Sequence, residues 1–133
     1  MNRDHSQSYS ISKKVNSSFS DALVKTKIAL SKEGFGVLTE IDVKKTLKNK
    51  LGVEWKNYVI LGACNPPLAF KALQIEIEIG LLLPCNVIVY ENTGDVFVSA
   101  IQPSVVMQVI ENTEITLIAK EVEEKLHRVI NSL

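Results

Sequence analysis

The sequence predicts an α+β domain: two layers, with a mixed five-stranded sheet and helices mainly on one face, in the order β-α-β-α-β-α-β-β-α-α. Three observations carry that prediction. Segments of period-two apolar alternation are interleaved with segments of helical period. The runs 57–63 and 85–91 are apolar on both faces, as strands in the middle of a sheet are. Asn92-Thr93-Gly94-Asp95 separates the second of these from a further strand-like run, a tight-turn signal that makes the last two strands a hairpin. At 133 residues the chain is expected to be one domain, 9–133, behind a disordered polar tail, 1–8.

Each element has a local reason. Tyr9, Ile11 and Val15 alternate with Ser8, Ser10 and Ser12, giving a half-buried first strand. Ser18 to Asp21 resembles a capping box, and Phe19, Leu23, Val24, Ile28 and Leu30 then recur at helical spacing. Gly34 sits where a left-handed cap belongs. Phe35, Val37, Thr39 and Ile41 alternate as strand two, and Asp42 is placed to cap a short helix, 43–50, ended by Gly52. Strand three is 57–63. Pro66 opens a helix running toward 79, because its missing N–H costs nothing at the first helical position. The β-branched Ile75, Ile77 and Ile79 weaken its second half and place an earlier end near Gln74. Strands 85–91 and 96–101 follow. Pro103 opens a short helix, 104–110, and Asn112 or Thr113 caps a last helix with the stripe Ile115, Ile118, Val122, Leu126, Val129, Ile130 and Leu133.

Composition bounds the function more than it identifies it. Formal net charge is zero, so the chain as a whole lacks the basic excess of a nucleic-acid binder or an acidic-membrane binder, and neither partner is expected. The charge is uneven: residues 1–51 hold ten Lys/Arg against five Asp/Glu, and residues 52–133 hold five against ten. Lys44, Lys45, Lys48 and Lys50 crowd one short helix with Trp55 nearby. This is an anion patch on a functional reading and a solvated face on the plainer one. No signal-peptide pattern and no run approaching the ~20 apolar residues of a span is present, so a cytoplasmic location with reduced thiols is expected. His5 and His127 stand alone, and no metal-ligand spacing, Gly-x-Ser-x-Gly or phosphate loop occurs.

The candidate site is built on a doublet used twice, Cys64-Asn65 and Cys85-Asn86. Gly62, two residues upstream, leaves room for another group to approach closely. Cys64 precedes a helix start, which favours thiolate. Asn65 is expected to cap that helix, yet Pro66 and Pro67 remove two of its free N–H donors, which argues against a phosphate cradle. A strand–helix–strand crossover would put Cys64 and Cys85 on opposite rims, ~20 Å apart for a helix of about 14 residues. That predicts no disulfide and argues against a shared metal. Asn86, in an apolar strand, needs a partner from the backbone or from a ligand. Glu40 and Asp42, at i and i+2, offer a paired acid only if Asp42 is not a cap.

Gly62-Ala63-Cys64-Asn65-Pro66 followed by Leu81-Leu82-Leu83-Pro84-Cys85-Asn86-Val87 resembles the bacterial and archaeal family called domain of unknown function 302. Gly34-Phe35-Gly36-Val37, Glu40-Ile41-Asp42-Val43 and Pro103 are similar to its pattern as well. The resemblance implies a compact α+β domain with Cys64, Asn65, Pro66, Pro84, Cys85 and Asn86 as signature positions. It implies no activity, substrate or cofactor. The expectation is a dimeric binding or sensing module. It would pair through the sheet face the helices leave open and take a small molecule near Gly62, Cys64, Asn65, Cys85 and Asn86. A thiol enzyme using Cys64 and a purely structural interaction domain are the alternatives.

Overall fold

A computed structural model of the chain describes residues 9–133; the expected tail, 1–8, lies outside the described residues. Five strands, β1 (Ser10–Val15), β2 (Gly36–Asp42), β3 (Tyr58–Cys64), β4 (Cys85–Asn92) and β5 (Asp95–Ile101), form one sheet in the order β1-β5-β4-β3-β2. Every neighbouring pair is antiparallel. The α+β class is therefore as read from the sequence, but the sheet is not mixed. The reason lies between β3 and β4. Helix α3 (Pro66–Ile75) stops after ten residues, at the isoleucine cluster, and a 3-10 turn (Ile77–Leu82) folds the chain back. The chain re-enters the sheet at the end it left, so there is no crossover.

The remaining helices are α1 (Phe19–Lys32), α2 (Val43–Leu51), α4 (Pro103–Val106) and α5 (Thr113–Asn131), with a 3-10 turn at Met107–Val109. Side chains cap three of them. Ser18 accepts from the Asp21 N–H, Asp42 from Lys45 at 3.0 Å and Asn112 from Ile115 at 3.1 Å. Gly34, at φ 85°, closes α1 while the Phe35 N–H reaches back to the Leu30 carbonyl and the Gly34 N–H to that of Ser31. Thr93 and Gly94 both take positive φ in the β4–β5 turn, as a two-residue hairpin requires.

Alternation divides the sheet. Val59, Leu61, Ala63, Cys85, Val87, Val89, Val96, Val98 and Ala100 face α1 and α5 and are buried with Ala22, Leu30, Leu126 and Ile130. A second, smaller cluster joins Ala72, Ile79, Met107, Ile115 and Ala119 beyond one end of the sheet. On the other face no helix among the described residues covers the strands. Tyr90 stacks there between Tyr58, at 5.5 Å, and Phe97, at 5.3 Å between ring centroids. Ile88, Tyr90 and Phe97 point to this face because Val87, Val89 and Val98 are buried on the helix side.

Candidate functional site

The two Cys-Asn doublets meet at the end of the sheet where β3 stops and β4 starts. Because the strands are antiparallel, Ala63 is the register partner of Cys85. Cys64 is one step further along the adjacent strand. The expected ~20 Å separation is therefore wrong, since it assumed a crossover that the 3-10 return replaces. Both sulfurs are free thiols. Alternation sends Cys85 to the helix side with Ala63 and sends Cys64 to the opposite side.

Their environments differ accordingly. Cys85 is buried, and that burial, with the neighbouring Cys64 as the lesser cause, pushes its thiol pKa up to about 11. A thiol held that far above neutrality is protonated and a poor nucleophile. Cys64 is half-buried. Among the described residues, no three His, Cys, Asp or Glu side chains gather as a metal cluster.

Asn65 does not cap α3 with its side chain. Its amide instead donates to the Glu33 carbonyl at 3.3 Å, tying the start of α3 to the end of α1. A Cβ at Gly34 would sit 3.2 Å from that same amide nitrogen, so the bare backbone of Gly34 gives Asn65 its place. The close approach anticipated at Gly62 comes from the protein itself. A Cβ there would overlap Thr39 Oγ1 and lie 2.9 Å from Pro84 Cγ. Asn86 is exposed and borders an open groove of about 270 Å³ with Leu81 and Pro84. Glu40 and Asp42 are not a paired acid. Glu40 bonds Lys27 at 2.6 Å, and Asp42 is the α2 cap.

On the helix side of this sheet end lies an apolar cavity of about 40 Å³. Ala63, Phe35 and Cys85 bring it the edge of the main core; Ala72, Ile79, Met107, Ile115 and Ala119 bring the second cluster. Asn65 and Cys85 supply the polar side-chain atoms nearest its walls, apart from the Met107 thioether. Of the five sequence-predicted residues, Asn65 and Cys85 reach this cavity, whereas Gly62, Cys64 and Asn86 belong to the other face. Met107, Ile79 and Ala119 were missed as site residues. Their helical spacing reads as ordinary core, and only the packing of α5 beside the 3-10 turns brings them to the doublets.

Comparison with known proteins supports the fold and the family. No curated protein matches the chain. A solved structure, the uncharacterized conserved protein DUF302 from Bacillus stearothermophilus, superposes with a TM-score of 0.88 at 26% identity, over 93% of this chain and 97% of that one. The family model described as "Domain of unknown function DUF302" matches residues 11–133, so the chain belongs to the DUF302 family.

Proposed function

We propose that the chain is a binding module for a small apolar molecule, or for the end of an alkyl chain, seated between the two hydrophobic clusters. The cavity under Asn65 and Cys85 carries this reading. Its walls are apolar, so water gains little there, and a dry void leaves its lining short of contacts that a ligand would restore. About 40 Å³ admits only a few atoms at rest. Met107 and the 3-10 turns on either side are the adaptable part of the wall, since a thioether chain repacks readily. The Asn65 amide and the Cys85 thiol are the two groups available to orient a polar end.

The test is native mass spectrometry of protein purified from its own host, with thermal shifts for a series of short-chain alkyl compounds. A retained mass, or a shift that Ala119→Leu abolishes by filling the void, supports the module. No retained mass and no shift across the series would remove it.

A second observation favours a homodimer through the open sheet face. Tyr58 and Tyr90, stacked at 5.5 Å, and the flanking Ile60 and Ile88 are half-buried, and no helix among the described residues lies over them. A twofold contact between two such faces would bury the aromatic rows of both copies. Sedimentation as a monomer would sink this part of the reading and leave the cavity untouched. The thiol-enzyme alternative fares worse. Cys85 is protonated at neutral pH, and among the described residues no basic side chain hydrogen-bonds Cys64.

A further inference from the structure

From 36 to 58 not one residue is buried, although the segment carries an ordered strand and a capped helix. Two kinds of side chain crowd this arm. Lys44, Lys45, Lys48, Lys50 and Lys56 are all exposed. Between 43 and 56 the only carboxylate is that of Glu54, which pairs with Lys48 at 3.2 Å. Beside them Leu51, Val53 and Trp55 stand 69%, 44% and 44% exposed. Lys56 Nζ lies 5.1 Å from the Trp55 ring centroid.

We propose that the α2 arm docks on the surface of an anionic lipid bilayer. The charge is complementary: the arm holds five lysines against Glu40, Asp42 and Glu54, of which Glu40 pairs with Lys27 and Asp42 caps α2, and between 43 and 56 only Glu54 opposes them, a local excess that the zero net charge of the whole chain conceals. The apolar residues fit the same occupant. Aliphatic Leu51 and Val53 gain burial at the boundary between headgroups and acyl chains, and tryptophan concentrates at that depth. A nucleic acid offers those aliphatic groups nothing. A second copy meeting arm to arm would set lysine against lysine. No helix among the described residues is long and apolar enough to cross a membrane, so the arm lies on the surface.

Trp55 is the only tryptophan in the chain, so its emission reports this site alone. The experiment titrates the full chain with vesicles of phosphatidylcholine and, separately, of equimolar phosphatidylcholine and phosphatidylglycerol. The expected result is a blue shift of Trp55 and co-sedimentation with the anionic vesicles, suppressed by salt. Lys48→Glu/Lys50→Glu should weaken binding at least about 25-fold, since each lysine near the surface accounts for roughly fivefold. Lys71→Glu, an exposed lysine on α3 outside the arm, should leave it unchanged. Leu51→Ser/Val53→Ser should bind more weakly with a smaller shift. All these positions are at the surface, and matching circular dichroism and urea transitions confirm that each variant folds. Absence of a shift with anionic vesicles overturns the proposal, as does equal binding to phosphatidylcholine alone. A shift with a single-stranded oligonucleotide but not with vesicles would assign the arm to nucleic acid instead. A shift that grows with protein concentration and needs no vesicles would assign it to a second copy.

Discussion

The half of the sheet built on β4 and β5 and the arm formed by β2 and α2 belong to one domain and differ in what holds them. Leu61, Val87, Val89, Val98 and Leu126 are fully buried, so the first region is fixed by packing. No residue of the arm is fully buried, although half-buried Val37 packs against the edge of the main core. It is held by the β2–β3 ladder, by the Asp42 cap and by exposed ion pairs such as Lys27–Glu40, and exposed pairs contribute little. The difference teaches that order and burial are separable. A backbone ladder and a good cap can shape a segment that the hydrophobic effect does not pin down, and such a segment is free to keep its apolar side chains for a surface.

The contrast breaks most visibly in the core. Leu126→Ala should cost about 3 kcal/mol of unfolding free energy in urea, within the usual range for a buried leucine. Leu51→Ala should stay within about 0.5 kcal/mol. Equal losses at the two positions would erase the distinction.

The next effect is on pH. The folded thiol of Cys85 keeps its proton up to about 11, whereas an unfolded cysteine releases it near 9.0. Stability from this group is complete below 9.0 and is lost as pH rises toward the folded value, by up to about 1.4 kcal/mol per pH unit. Tyr58 and Tyr90 are also raised by burial and add a slope of the same sign at higher pH. The slope that disappears in Cys85→Ala is therefore the measurement. Urea midpoints that do not move between pH 8 and 10 in either protein would refute the assignment. In the same window a thiol reagent should modify Cys64 well before Cys85.

The junction between the two regions is the third place to press. Gly62→Ala should cost about 1–3 kcal/mol, because its new methyl meets Thr39 and Pro84. Thr39→Ala should return part of that loss, with a coupling of at least ~0.5 kcal/mol in a double-mutant cycle. Additive losses would mean that Thr39 does not hold β2 against β3 in this way.

The smallest effects separate two caps. Asn112→Ala, at the start of the packed helix α5, should lower global stability by about 1 kcal/mol. Asp42→Ala should change global stability by only a few tenths. It should instead speed amide exchange across α2, whose opening exposes no core. Uniform protection of α2 and β4 amides in the wild type would contradict this.

Much of the fold was legible because it rests on local rules. Ser18, Asp42 and Asn112 cap helices through their own next turns, Gly34 takes the left-handed cap, and Asn92 to Asp95 turns the hairpin. The direction of β4 was not legible. Nothing between 66 and 84 says whether a helix crosses the sheet or doubles back; that depends on how the 3-10 turn at Ile77–Leu82 packs against Met107 and Ile115. The distance between the two cysteines depended on the same choice. The lysines of α2 were plain in the sequence, but the exposure of Leu51 and Val53 beside them was not.

By itself, the sequence determined the alternation of strands and helices, the caps, the turn, and the family that its paired Cys-Asn doublets point to. These depend on neighbours within a few residues, where backbone geometry and hydrogen bonding are local. The tertiary structure alone decided the antiparallel order of the sheet, the meeting of the doublets, the cavity between the two clusters and the unburied arm. Each of these depends on which distant surfaces exclude water from one another, and that free energy is shared among segments far apart along the chain.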